Sequence, residues 1–139
     1  MYPERVATLG ICSHRQDYLV LRIAREWKYC PGDWDFVIAT FDEPQKPPSH
    51  NVLSSVRKHT GLDARIIKEY PILHWPDHES KVLFMLFPFL LSVDKRTVQL
   101  SSKFCEVKWV SRYDEILKLD RQNYLQTVLG NTILIKSIN

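Results

Sequence analysis

Residues 82–93 read Val-Leu-Phe-Met-Leu-Phe-Pro-Phe-Leu-Leu-Ser-Val. A run this apolar has to leave water, yet at about a dozen residues it falls well short of the roughly 20 that a membrane-spanning helix needs, and a proline stands in its middle. What remains is a strand buried on both faces, the pattern of a central strand in an α/β sheet rather than of a half-exposed hairpin. Such a strand needs neighbours on both sides and helices to cover it. A chain of 139 residues, 45% hydrophobic, can supply one such core and not two, so one domain spanning 1–139 is expected.

The neighbours are legible from periodicity and punctuation. Residues 6–13 and 18–23 are β-prone runs around a polar turn, His14-Arg15-Gln16-Asp17, and predict a hairpin. A loop with Pro31-Gly32 follows, and then a third strand over 34–41. Pro44, Pro47 and Pro48 make residues 42–50 a stiff connection to a helix with Ser49 or Asn51 as its N-cap, Val52, Leu53 and Val56 on one face, and Gly61 as its stop. Residues 63–73 predict another long strand. Residues 74–79, His-Trp-Pro-Asp-His-Glu, hold two histidines and two acids, but Pro76 and Asp77 favour a hairpin turn over a metal site. Residues 106–110 alternate like a half-buried strand, and residues 112–119 predict a short helix with acids in its first turns. Residues 121–139 are open between helix (Tyr124, Leu125, Val128) and strand (Thr132 to Ile135), with Gly130-Asn131 as the divide.

The 19 Lys and Arg residues against 16 Asp and Glu leave a net charge of +3, which permits an anionic ligand without the concentrated basicity of a dedicated nucleic-acid binder. Cys12, Cys30 and Cys105 are odd in number and show no CxxC spacing, so neither a disulfide framework nor a zinc site is implied. The opening MYPERVATLG lacks the charged and apolar regions of a signal peptide, and a soluble cytoplasmic protein away from membranes is expected.

Four local patterns, in order, carry a family resemblance. Gly32-Asp33-Trp34-Asp35-Phe36 is similar to a G-x-W-x-[LF] strand, and the segment from Val56 through Thr60-Gly61-Leu62 to Ile66 is similar to a helix ending in E-E-T-G-L with a strand after it. Glu106-Val-Lys-Trp-Val-Ser111 and Tyr113-Asp-Glu-Ile-Leu117 complete the set. Together they resemble the Nudix (MutT-like) superfamily over roughly residues 4–120. The resemblance implies a Nudix-type α/β/α sandwich with a mixed β-sheet. Thr60-Gly61-Leu62 and Trp109 are architectural in any such fold, so they speak to fold and not to activity.

The family's box, G-x5-E-x7-R-E-U-x-E-E-x-G-U, gathers glutamates whose hard oxygens hold magnesium or manganese against a diphosphate. Aligned on Gly61-Leu62, the paired glutamates become Lys58 and His59, and the Arg-Glu pair becomes Ser54 and Ser55. Counting back places Thr40 at the glycine and Lys46 at the first glutamate, whereas counting forward from Trp34 differs by one residue, as a one-residue insertion in the proline-rich loop would produce. The helix carries Arg57-Lys58-His59 in place of an acidic cluster. Its charge opposes a divalent cation.

The candidate ligand-binding residues are therefore Arg22, Trp34, Arg57, Lys58 and His59, with Arg25, Lys28, Trp27 and Tyr29 near the expected mouth, since cations and aromatics together suit a phosphate and a base. Three uses follow. The first is a non-hydrolytic binding module for a nucleotide, another phosphate-containing metabolite or RNA, needing no cofactor. The second is a divergent pyrophosphohydrolase of nucleoside diphosphate derivatives, with Mg or Mn on a relocated site built from Glu43 or Glu106, helped by Asp42. The third is an interaction scaffold, expected as a homodimer. A Ser55 and His59 pair four apart on the helix is a further, bare nucleophile-and-base arrangement without an acid or an oxyanion hole.

Overall fold

The computed structural model describes residues 1–41 and 46–134. Its central strands are β1 (Glu4–His14) and the apolar run, β7 (Val82–Val93), which lie side by side in parallel register from Glu4 opposite Leu83 to Ser13 opposite Ser92. Along β7 the side chains alternate between buried and half-buried, so both faces of this strand are covered. β2 (Asp17–Ile23) turns back on β1, β3 (Trp34–Asp35) and β8 (Phe104–Val110) pair with β2, and β4 (Val37–Thr40) pairs with β1. On the other side β5 (Ala64–Glu69) and β6 (Leu73–Asp77) both run antiparallel to β7. One mixed sheet of eight strands results among the described residues.

α1 (Pro48–Thr60) lies on this sheet through Val52 and Val56, one turn apart and fully buried. The close approach depends on Gly10 of β1: a Cβ there would meet Val56 Cγ2 at 3.1 Å and Val52 Cγ2 at 3.3 Å. The helix begins at Pro48, not at Ser49 or Asn51, because proline fixes a helical φ at a first-turn position whose N–H has no intrahelical partner. Asn51 instead donates to Thr8 Oγ1 at 2.7 Å. Gly61, at φ 73°, stops the helix and its N–H bonds the Arg57 carbonyl.

Two expected strands are each divided. In residues 34–41 the break falls at Phe36, whose N–H is taken by Asp35 Oδ1 at 2.7 Å instead of by the ladder. In residues 63–73 it falls around Pro71, which has no N–H to give. The expected turn over 74–79 starts later, because residues up to Asp77 stay paired with β7 and the chain reverses over 78–81 with Lys81 at φ 56°. α2 (Tyr113–Leu117) and α3 (Tyr124–Gly130) pack on one another, and α3 resolves the helix-or-strand question for the tail as far as residue 134. Ile135 lies outside the described residues. Among the described residues no helix is long and apolar enough to cross a membrane.

Candidate functional site

The loop that returns from β7 to β8 packs on the end of α1. Gln99 N–H and Ser101 N–H bond the carbonyls of Thr60 and His59, at 2.9 and 3.1 Å. The same loop carries Lys103 inward until only 6% of it is exposed. Its ammonium donates to the Ile38 carbonyl of β4 and lies over the rings of Trp27 and Phe104, at 5.5 and 5.3 Å from their centroids. Among the described residues no carboxylate bonds to it. Burial pushes Lys103 down to about 8, with Lys58 lowering it further and Asp35 acting in the opposite sense.

Lys103 lines an opening of about 20 Å³ with Trp27, Tyr29, Cys30, Ile38, Thr40 and Phe84. Cys30, Ile38 and Phe84 also line a neighbouring cavity of about 30 Å³, whose further walls include Trp34, Trp75, Tyr124, Asp35 and Asp77. The two adjoin across Cys30, Ile38 and Phe84, and their walls combine aromatic rings with ionisable groups. Asp35, 3% exposed, receives the Tyr124 hydroxyl at 3.0 and 2.9 Å from its two oxygens. Burial pushes its carboxyl up to about 8 in spite of those hydrogen bonds and of Lys103. Asp77, also buried, accepts the Ser80 N–H at 3.2 Å and the Cys30 thiol at 3.4 Å, and burial with these acids raises that thiol well above its ordinary range. Arg121 closes one rim by pairing with Asp33 and Glu79.

The three basic residues at the end of α1 do not converge. Arg57 points to solvent and pairs with Asp63 at 3.4 Å. Lys58 is exposed, close enough to act electrostatically on both His59 and Lys103. His59 turns inward, where Nδ1 bonds Ser101 Oγ at 2.6 Å and the ring meets Phe104 edge-on. Burial, Lys103 and Lys58 push it down to about 4, so it is neutral at physiological pH and offers no charge to a phosphate. Its bonded partner is Ser101 and not Ser55. Arg22 is held by Glu106 at 2.9 Å and by the Gly32 carbonyl at 3.0 Å, and faces an open recess it shares with Arg25 and Arg121. Trp34 does line the cleft, with Lys108 over its outer side at 5.1 Å.

Of the acids considered for a relocated metal site, Glu106 is engaged by Arg22, while Asp42 and Glu43 lie outside the described residues. The residues of 74–79 diverge: His78 bonds the Tyr2 hydroxyl, Glu79 pairs with Arg121, and Asp77 is in the cleft floor. Among the described residues no three His, Cys, Asp or Glu side chains are grouped as metal ligands. Lys103, Asp35, Asp77 and Tyr124 escape sequence reasoning. Asp35 sits inside the G-x-W-x-F pattern, whose spacing places a strand but says nothing of a buried carboxyl, and Lys103 has no spacing signal.

The sequence matches no protein-family model and no curated protein. Solved structures do match. A Nudix hydrolase from Nitrosomonas europaea superposes with a TM-score of 0.74 at 14% identity, covering 97% of each chain. A MutT protein from Methanosarcina mazei Go1 gives 0.70 at 22% identity over 86% of this chain and 84% of the other. A MutT Nudix hydrolase from Burkholderia pseudomallei gives 0.72 at 12% identity over 93% and 98%. The likeness runs nearly end to end, and the chain has the Nudix fold.

Proposed function

We propose that this is a metal-independent binding module that takes a nucleotide or a related phosphate-containing ligand in the aromatic cleft lined by Trp34, Trp75 and Tyr124 of α3. The observation that carries the reading is the buried ammonium of Lys103, within electrostatic reach of Lys58 and His59 at the end of α1. From Pro48 to Thr60 the helix holds no carboxylate, and its buried polar residues are Ser55, His59 and Thr60. A hard divalent cation wants several charged oxygens, and here it would meet a resident cation instead. Two unit charges about 4 Å apart interact by about 4 kcal/mol at an effective dielectric of about 20, and a dication doubles the repulsion. The residues present do not fit the family's metal.

The remainder of the cleft suits a planar ring with an anion beside it. Trp34, Trp75 and Tyr124 offer aromatic faces, and Asp77 can accept ring N–H groups. Lys58 and Lys103 supply the positive end. The neighbouring structures are named hydrolases, so the competing reading is hydrolysis on a rebuilt site.

A thermal-shift series with nucleosides, nucleoside monophosphates and nucleoside diphosphate derivatives in EDTA tests the proposal. The expected result is a stabilising shift that survives the chelator, is larger for the phosphorylated compounds, and disappears in Lys58→Glu. Turnover of a diphosphate derivative with Mg²⁺ or Mn²⁺ that falls in Glu43→Gln or Glu106→Gln would overturn it in favour of the hydrolase. Silence across the panel would overturn it in favour of an interaction scaffold, for which exposed apolar residues such as Ile67, Ile72, Val107 and Leu117 offer surface.

A further inference from the structure

The aromatic cavity holds about 30 Å³, the share of a single water molecule, whereas pockets that take small organic ligands run to about 300–1,000 Å³. A ring can enter only if a wall moves. Most of the walls are strand residues, from Trp34 and Ile38 to Trp75, Phe84 and Leu86, and the sheet ladder fixes them. The loop that brings Cys30 and Asp33 is tied back by the Gly32 N–H on the Ile23 carbonyl at 2.9 Å and by the Ile23 N–H on the Asp33 carbonyl at 2.8 Å. Arg121 and Gln122, in the linker between α2 and α3, are held differently. Among the described residues, the backbone hydrogen bonds of residues 118–134 stay within the α2–α3 stretch and none reaches the sheet. Across the cavity mouth the tie is a side chain: Arg121 Nη1 donates to Asp33 Oδ1 at 2.9 Å and Nη2 to Glu79. Half of that side chain is exposed, and exposed ion pairs are weak and screened by salt. Beyond it, Asp120 fixes the start of α3 by accepting the N–H groups of Leu125 at 2.6 Å and Gln126 at 3.0 Å, and Tyr124 is anchored on Asp35. Gln122 and Asn123 lie between, both in the left-handed region at φ 57° and 63°, where L side chains stay only while their surroundings hold them.

Taking the aromatic cavity as the ligand site, we propose that residues 120–123 are a gating strap over it, latched by Arg121 on Asp33 and Glu79, which swings out about Gln122 and Asn123 to admit the ring of the ligand. Asp33 stands just before β3 and Glu79 in the turn between β6 and β7, so one guanidinium clasps two separate elements across the mouth. Releasing it breaks no backbone bond to the sheet and lets Gln122 and Asn123 leave the left-handed region. The buried side of α3, Leu125, Val128 and Leu129, stays in the core, which confines the movement to the strap.

The cysteines of the native chain read the motion: Cys105 is exposed, Cys12 is fully buried in the core, and Cys30 lines the cavity. The full chain is treated with methyl methanethiosulfonate, a small uncharged thiol reagent, and each cysteine is followed by peptide mass mapping. Cys30 is expected to label more slowly than Cys105 and faster than Cys12. Arg121→Gln should raise the Cys30 rate roughly threefold or more, the effect of losing two exposed ion pairs, with Cys12 and Cys105 unchanged. Removing a cation near the thiol disfavours its thiolate, so a faster rate reads access and not reactivity. Raising KCl from about 0.05 to about 1 M should quicken Cys30 in the native chain and not in Arg121→Gln, where screening has no latch to weaken. An unchanged Cys30 rate in Arg121→Gln means entry past Lys103 and overturns the proposal, as does a salt response that persists in the variant. If Cys12 quickens as well, the variant has lost its fold and the salt response of the native chain decides alone: a flat Cys30 rate there overturns the proposal. No ligand is used, so the strap can fail while nucleotide binding in EDTA stands, and the reverse.

Discussion

Asp35, His59 and Lys103 are each buried and each displaced from its ordinary titration range, and the three displacements have different consequences for stability. His59 has its folded pKa at about 4, below the 6.5 of the unfolded chain, so its contribution is complete above about 6.5 and lost as pH falls toward 4. Asp35 is raised from 3.8 to about 8, so the folded chain holds a proton the unfolded one has released, and stability declines as pH rises between those values. Lys103 is lowered from 10.5 to about 8, which makes stability rise again with pH above about 8. From these groups alone the slopes cancel between about 4 and 6.5, and a minimum lies near pH 8. Urea unfolding across this range should show it, and in Asp35→Asn the decline between pH 6.5 and 8, up to about 1.4 kcal/mol per unit, should vanish. Tyr124→Phe removes the hydroxyl that Asp35 receives and is expected to cost about 1–3 kcal/mol in the same assay.

At the level of elements, α1 is set by two glycines outside it. Gly61 sits at φ 73°, where an L side chain is strained, and Gly61→Ala should cost about 1–2 kcal/mol while Gly61→Asn costs less. Gly10→Ala pushes a methyl toward Val52 and Val56 and should cost about 1–3 kcal/mol by overpacking, unless α1 shifts off the sheet. Both losses are read as lowered urea midpoints with unchanged slope. These features were visible in sequence to different degrees. Gly61 announced itself after the Val52 and Val56 periodicity, because a helix stop is local chemistry. Gly10 did not, because its role is defined by a helix more than 40 residues away in the chain.

For the whole molecule, the relevant question is whether the fold binds a cation in its native state. A ligand that binds only the folded form stabilises it by RT ln(1 + [L]/Kd), about 2.7 kcal/mol at 100 times Kd. Titrating Mg²⁺ or Mn²⁺ into the native chain is expected to leave Tm unchanged, and a shift that grows with metal concentration would contradict the assignment of Lys103 as the resident cation of the cleft. Periodicity, punctuation and residue type are local, and they suffice for the buried central strand at residues 82–93, the hairpin, the helix ended by Gly61 and the lack of carboxylates on that helix. Which charges face the cleft was decided only by the tertiary structure. Arg57, Lys58 and His59 are consecutive, yet successive residues on a helix point about 100° apart, so they go to an ion pair, to solvent and to the core. Lys103 and Asp35, 68 positions apart in the chain, line adjoining cavities because β3, β4 and the loop after β7 fold together there, and burial is a property of that packing, not of the residues.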